Sequence, residues 1–289
     1  MTRTRLGVTV SLALLLAGCG AQTAEPSAAQ SPASESTSLS VAPAQAEDTD
    51  PDQDPANGQM VVVYDEADTP EAISGRALMQ DTNLLADLAD DVNSSFQLPY
   101  DIPLNGSQCD EANDFWSPSD QAMTLCYEDV AESLRIFADD PDPQASARRI
   151  GVASFYHELG HMLIDIYDLP ATGREEDVAD QLSAFILLTP GEDGVVDPDD
   201  VQAAKDAARE YRIWSQEGGA PDDSAFSDVH SLNQARMYNM ECWIYGSDPD
   251  GNADIVADGL LPQDRADGCQ EEFDKLSNAW GTLLEPHLK

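Results

Sequence analysis

Regular patterns of apolar and polar residues begin only near residue 60 and continue to the end of the chain. Met60–Tyr64 is a β-branched run that predicts a strand, and residues 122–127 predict another. Between them, helical spacing predicts one long amphipathic helix over residues 74–96, and proline-containing residues 98–109 predict an extended edge strand. Helical periodicity returns in later segments, at residues 127–138, 145–167, 175–188, 199–214, 231–245 and 270–284. We therefore predict an α+β fold, mostly helical, with a small β-sheet.

The first 58 residues have a different composition. Arg3 and Arg5 precede an apolar run at residues 8–17, which is too short to span a bilayer and predicts a signal peptide over residues 1–18. The ending Leu16-Ala17-Gly18-Cys19 is typical of a bacterial lipobox, in which Cys19 is lipidated and becomes the mature N-terminus. The alternative is ordinary secretion with an unmodified Cys19. We expect an exported protein that is lipid-anchored at the outer face of the bacterial cell membrane.

Residues 19–58 are rich in Ala, Ser, Pro and acidic residues and contain almost no large apolar residues. Such a segment cannot bury enough surface to offset its chain entropy, so we predict a disordered tether. No second linker and no internal repeat follow, which predicts a single domain over residues 59–289.

The chain is strongly acidic, with 55 acidic and 14 basic side chains and a net charge of −41. This charge repels nucleic acid and anionic lipid, so neither is an expected partner through electrostatics. The lipid anchor is the expected contact with the membrane. The sequence leaves the oligomeric state open.

Four cysteines remain after Cys19, and an even number in an exported chain favours disulfides over free thiols. Of the three pairings, we expect the local one, Cys109 with Cys126 and Cys242 with Cys269, because it closes the shorter loops. A cysteine metal site is disfavoured because no two cysteines have CxxC spacing.

The strongest chemical signal is His157-Glu158-Leu159-Gly160-His161, an HExxH motif inside a predicted helix. At positions i and i+4, the two imidazoles project from one face and can bind one Zn²⁺ ion. Glu158 lies beside them and can take a proton from a water molecule on the metal.

A third ligand is expected on the next helix, which reverses direction after Gly173. Glu176 and Asp180 are four residues apart on one helical face, so one can bind zinc while the other orients a ligand imidazole. Asp165, Glu175, Asp177 and Asp180 are rival third ligands.

HExxH followed by Glu176-Asp177-Val178-Ala179-Asp180 is similar to the gluzincin pattern of thermolysin-like peptidases. This resemblance implies that Glu176 is the third ligand and that Asp180 orients His157. The gap between His161 and Glu176 is short for a gluzincin, so the sequence does not decide between Glu176 and its rivals as the third ligand. Residues 126–128, 156–181 and 242–249 also resemble a bacterial family catalogued only as metallopeptidases of unknown function, over roughly residues 60–289.

The resemblance implies a zinc-dependent hydrolase, specifically a metalloendopeptidase that acts on a peptide or protein with Glu158 as general base. His230 is a candidate catalytic residue that stabilises the oxyanion, and its alternative is a structural histidine. Arg236 and Tyr238 are further candidate donors with the same alternative. The strand at residues 122–127 is expected to be open and to bind an extended substrate.

Two other functions remain open at this stage. The first is a zinc amidase that acts on the cell wall. The second is a surface lipoprotein with a structural or vestigial zinc site, used in adhesion or scaffolding.

Overall fold

Four strands form one sheet in the computed structural model, which describes residues 58–191 and 194–289. They are β1 (Met60–Tyr64), β2 (Ile102–Ser107), β3 (Asp114–Ser117) and β4 (Ala122–Cys126). Their order is β1-β2-β4-β3, with β1, β2 and β4 parallel and β3 antiparallel to β4. The predicted signal peptide, Cys19 and all but the last residue of the predicted tether lie outside the described residues. That last residue, Gly58, is buried and pairs with Leu98.

Two predictions about the strands are wrong. The predicted edge strand became β2, which lies between β1 and β4, because one face of β2 is buried at Ile102, Leu104 and Gly106. The predicted open strand became β4, which is also internal. All five residues of β4 are buried, and the described edge on this side of the sheet is β3.

The predicted long helix is two helices, α1 (Pro70–Asp81) and α2 (Leu84–Ser95). They separate at Asn83, whose φ of 54° places it in the left-handed region that asparagine tolerates better than most residues. The hydroxyl of Thr82 donates to the Leu78 carbonyl at 2.8 Å, so that one of the last carbonyl groups of α1 has a side-chain hydrogen bond. The apolar spacing continues across this break, which is why periodicity alone does not show it.

The later helices confirm the predicted mostly helical fold. They are α3 (Tyr127–Ile136), α4 (Pro143–Ile166), α5 (Glu175–Leu188), α6 (Pro198–Glu217), α7 (Asp223–Ser227), α8 (Asn233–Ser247), α9 (Asp254–Ala257), α10 (Gln263–Ala266) and α11 (Cys269–Leu284), before a 3-10 turn at Glu285–His287. The short helices α7, α9 and α10 were not predicted, because they contain too few residues for a helical period. In the described part of the chain, no helix combines the length and apolar character needed to cross a membrane.

Two disulfides join neighbouring elements. Cys109 pairs with Cys126 at a Cα–Cα distance of 5.6 Å, and Cys242 pairs with Cys269 at 5.1 Å. The first links two neighbouring parallel strands: Cys126 is the last residue of β4, and Cys109 follows the end of β2. The second links α8 to the start of α11.

Helix α4 lies at the centre of the fold and contacts α3, α5, α6 and the sheet. It begins at Pro143, and the carboxylate of Asp142 accepts a hydrogen bond from the Ala145 amide at 3.1 Å. Because neighbours cover most of its surface, α4 has buried side chains on several faces instead of one apolar stripe. The HExxH motif is therefore placed in the interior.

Gly160 allows α4 and α5 to approach closely. A Cβ atom at this position would lie only 2.8 Å from the Cα atom of Ala179, a distance that real Cβ contacts do not show. The obstacle is backbone, which cannot rotate away like a flexible side chain. The contact therefore requires glycine on α4.

We predict that Gly160→Ala lowers the free energy of unfolding by about 1–3 kcal/mol, as overpacking typically does. Gly281→Ala is the matched control, because Gly281 lies inside α11 and nothing surrounds its missing Cβ within 4 Å. That control should raise the free energy of unfolding by about 0.5–1 kcal/mol, the usual gain of alanine over glycine in a helix. Urea unfolding with and without a chelator measures both variants. A Gly160→Ala protein as stable as the wild type would contradict the packing argument.

Candidate metal centre

Two imidazoles and one carboxylate converge between α4 and α5. Glu176 Oε2 lies 3.2 Å from His157 Nε2 and 3.2 Å from His161 Nε2, and the two imidazole nitrogens are 3.3 Å apart. Within residues 58–191 and 194–289, no other three His, Cys, Asp or Glu side chains bring ligand atoms so close that a metal ion could be held.

The triangle has the dimensions of a tetrahedral metal site. Ligand atoms at about 2.0–2.1 Å from a tetrahedral ion lie about 3.3–3.4 Å from one another. The three observed separations, 3.2 to 3.3 Å, are close to this value. Two imidazoles and a carboxylate that leave the rest of the coordination sphere to other groups are also a donor set typical of catalytic metal sites. The residues present therefore fit a metal ion.

A second carboxylate orients each imidazole. Asp180 Oδ1 lies 2.9 Å from His157 Nδ1, and Glu175 Oε1 lies 2.8 Å from His161 Nδ1. A carboxylate can only accept, so each Nδ1 donates its proton to its own carboxylate, and each Nε2 points into the site, where its lone pair would bind a metal ion once the Nε2 proton is lost.

Asp180 is held by Arg236 and Tyr211. Arg236 donates to both carboxylate oxygens at 2.8 and 2.7 Å, and the Tyr211 hydroxyl donates to Oδ1 at 3.2 Å. The Arg236 guanidinium also lies over the Tyr211 ring, 4.2 Å from its centroid. Asp180 is therefore fixed in position while it orients His157.

These contacts shift the pKa values of the site. Burial raises the pKa of Asp180, but the charge and hydrogen bonds of Arg236, together with His157, bring it well below its usual range. Burial also raises the pKa of Glu176, and hydrogen bonds from three histidines outweigh that effect and lower it. For His157, burial lowers the pKa, whereas the hydrogen bonds to Asp180 and Glu176 raise it to about 9.

Glu158 lies beside the triangle but does not belong to it. Its Oε2 accepts a hydrogen bond from the backbone amide of Trp116 at 2.9 Å, and its Oε1 lies 3.9 Å from His157 Nε2. Burial raises its pKa, although the neighbouring histidines partly lower it. One oxygen is thus anchored to β3 while the other faces the imidazoles.

His230 lies between α7 and α8 and contacts the same Glu176 oxygen, Oε2, as the two motif histidines. Its Nε2 is 3.1 Å from Glu176 Oε2, and its Nδ1 is 3.0 Å from Asp228 Oδ1. Arg174 donates to the backbone carbonyls of Asp228 and His230, at 3.2 and 2.9 Å, and ties this segment to the start of α5. His230 does not belong to the group of three ligand atoms.

The rival ligands also lie outside that group. Asp165 accepts a hydrogen bond from Trp116 Nε1 at 3.1 Å, while Glu175 and Asp180 contact the far nitrogens of the two imidazoles. Asp177 is not part of the group either. The geometry thus favours Glu176 as the third ligand, which remains a prediction.

Sequence reasoning missed three contributions to this site. The amide of Trp116 and the hydroxyl of Tyr211 come from elements far away in sequence, and no local pattern marks them. Arg236 was a candidate oxyanion donor, but in the structure its guanidinium binds Asp180. Tyr238, the other candidate donor, packs against the hydrophobic core. Asp228 carries a weak signal, since it lies two residues before the only histidine near the site that is not in the motif.

Comparison with known proteins agrees with this geometry. No curated protein and no solved structure matches the chain at a significant level. Residues 64–284 match the model of the DUF4344 family, which is described as "Putative metallopeptidase". This span contains both motif histidines, Glu158 and Glu176, and covers most of the chain. The chain therefore belongs to this family.

Proposed function

We propose that the protein is a zinc-dependent metalloendopeptidase in which His157, His161 and Glu176 hold the metal. The observation that carries this proposal is the triangle of ligand atoms with the Glu158 carboxylate beside it. A zinc ion held there would supply Lewis acidity, which polarises a peptide carbonyl and acidifies a water molecule.

Glu158 is the general base of the proposed reaction. Its Oε1 is the oxygen that takes a proton from the attacking water and returns it to the leaving amine. The hydrogen bond from Trp116 fixes the other oxygen, so the carboxylate is already oriented for this transfer. A purely structural metal site does not need such a base, and Glu158 is therefore an argument for hydrolysis over adhesion or scaffolding.

His230 is proposed to donate a hydrogen bond to the oxyanion that develops on the substrate. Asp228 accepts from Nδ1, which leaves Nε2 directed towards the site, where it contacts Glu176. The side chain is 45% exposed, so it can move from Glu176 to a substrate oxygen. Donors that act mainly in the transition state raise turnover more than they raise affinity.

The edge of the sheet that faces the site is β3, and it replaces β4 as the proposed docking strand for an extended peptide. Among the described strands β3 pairs only with β4, and its Trp116 amide already contacts Glu158. A peptide that adds to the outer edge of β3 would thus run past the proposed base.

The first test separates the metal ligand from the base. Glu158→Gln should retain one equivalent of zinc and lose turnover, because an amide cannot accept the proton. Glu176→Ala should lose most of the zinc, whereas Asp177→Ala, its neighbour on α5, should retain it. Metal analysis of purified protein and a peptide-library digest give the two readouts. A peptidoglycan digest run in parallel identifies a cell-wall amidase, and full zinc retention in Glu176→Ala would reassign the third ligand.

The second test concerns His230. His230→Ala should lower turnover by roughly 10²–10³, the usual effect of losing one oxyanion donor, with little change in zinc content or substrate affinity. Steady-state kinetics, metal analysis and thermal denaturation on one preparation provide the comparison. A structural role predicts a lower melting temperature with normal turnover per folded molecule, and that result would remove His230 from the mechanism.

We also propose that the protein is exported and held at the membrane through lipidated Cys19, on the basis of the lipobox. Cys19→Ala should move the protein from the membrane fraction to the soluble fraction of its native host. Immunoblots of the two fractions measure this. Wild-type protein that is already soluble would contradict the anchor.

A further inference from the structure

A cavity of about 610 Å³ adjoins the candidate metal centre and is bounded by His157 and Glu158 on one side. Beyond them its wall contains the carboxylates of Asp114, Asp129, Glu132 and Glu210, which we call the acidic wall. β3 contributes Asp114, α3 contributes Asp129 and Glu132, and α6 contributes Glu210. Three separate elements thus direct acids into one space next to the proposed base.

The lining offers little positive charge to balance these acids. Arg236 is the only Lys or Arg among the lining residues, and both carboxylate oxygens of Asp180 already bind it. The two lining imidazoles, His157 and His230, likewise already contact carboxylates outside the acidic wall. Glu132 has a cationic partner outside the cavity, Arg135, which follows it by one helical turn. None of the other three members of the acidic wall forms a direct ion pair with Lys or Arg in the part of the chain described, and Arg236 affects Glu210 only through its charge at longer range.

Two of these three carboxylates have at most one hydrogen-bond partner. Glu210 is only 5% exposed, and its one contact is a 3.3 Å hydrogen bond from the Ser133 hydroxyl to Oε1. Asp129 is half-buried, and its carboxylate accepts no hydrogen bond from the residues that the structure describes. Asp114, by contrast, accepts from Ser154 and from the Cys126 amide, at 2.6 and 2.8 Å. A carboxylate buried with so few partners, as in Glu210, is costly to keep ionised, so a donor with positive charge in the cavity would stabilise its ionised form.

The pKa values agree with this description. Burial, with the nearby charges of Glu132 and Glu158, raises the pKa of Asp129 to about 6. Burial likewise raises the pKa values of Asp114 and Glu210 well above their usual range, and the charge of Asp129 adds to both effects. Hydrogen bonds partly lower both pKa values, and the charge of Arg236 partly lowers that of Glu210. A cation in the cavity would relieve the repulsion among these groups.

The spacing favours an organic cation over a second metal ion. Among the described residues, no three of these carboxylates bring oxygens within 4.8 Å of one another, as the proposed zinc ligands do with their ligand atoms. A guanidinium group spreads five N–H donors over a planar fork, and it can contact carboxylates that are too far apart to share one ion. Its aliphatic stem can lie along Ile150 and Ala153, which also line the cavity.

We propose that this cavity binds a positively charged side chain of the substrate, at the residue next to the scissile bond, and that arginine is the preferred residue. The inference rests on the proposed function, because it takes the metal centre as the place of cleavage. It adds a preference for basic peptides that the family description does not contain.

The test uses two peptides that differ only in charge, one with arginine at the variable position and one with citrulline, its neutral isostere. Binding is measured by fluorescence polarisation with zinc-loaded Glu158→Gln protein, so that no peptide is consumed. We expect the arginine peptide to bind roughly 10- to 100-fold more tightly, the range for a hydrogen bond to a charged group. Because the whole chain is acidic, a third peptide with its arginine moved to the terminus controls for non-specific attraction.

Variants then locate the effect. Asp129→Asn and Glu210→Gln, each made in the Glu158→Gln protein, should bring the arginine-to-citrulline ratio towards one. Asp90→Asn is the matched control, because it removes the same charge from an exposed position on α2 and should leave the ratio unchanged. Melting temperatures of all variants confirm that they are folded. Two variants are used so that a folding defect in one does not decide the result.

Equal binding of the two peptides, or an unchanged ratio in both cavity variants, would overturn the proposal. So would saturable Ca²⁺ binding that Asp129→Asn abolishes, since the cavity would then be an ion site. Cleavage by wild-type protein is scored separately. Equal cleavage of the arginine and citrulline peptides would support the proposed function and refute the charge preference. Charge-selective binding without any cleavage would support the charge preference and refute the proposed function.

Discussion

The close contact between Gly160 and Ala179 is the constraint on which the candidate site depends. Gly160 lies between Glu158 and His161 on α4, and Ala179 lies between Glu176 and Asp180 on α5. Because no Cβ separates the helices at this point, carboxylates on α5 come within 2.8 to 3.2 Å of imidazoles on α4. A wider helix separation would leave these groups too far apart to share one metal ion. Gly160 has no functional group, yet it is needed for the geometry of the motif residues that have one.

A second constraint is electrostatic, and it fixes the tautomer of His157. Arg236 on α8 keeps Asp180 ionised, and ionised Asp180 accepts the Nδ1 proton, so that Nε2 is free to bind a metal. Three helices therefore contribute to the orientation of a single imidazole. Breaking such a buried pair by removing one partner costs about 3–5 kcal/mol, since the other charge remains buried and alone. The arrangement links the stability of the fold to the geometry of the site.

The sequence predicted the elements that carry strong local signals. Helix α5 has the predicted bounds, residues 175–188, because its apolar spacing is clear and Gly173 precedes it. The break at Asn83 escaped prediction, since the apolar spacing continues through it. The neighbours of β2 and β4 depend on contacts between residues far apart in the chain, and no local pattern specifies them. The same is true of Trp116, Tyr211 and Arg236, which reach the site from β3, α6 and α8.

The acids around the site differ in whether the chain provides them with a cation. Asp180 has Arg236, and buried Asp206 on α6 has both Arg149 and Arg209. With only 14 basic side chains against 55 acids, such pairs are formed at few positions. Exposed acids need no partner because water solvates them, but Glu210 is buried and Asp129 half-buried, and neither forms a direct ion pair with Lys or Arg in the described residues. Paired acids therefore hold the site together, while the unpaired ones face the space that a substrate would enter. This difference supports a cation that comes from outside the chain.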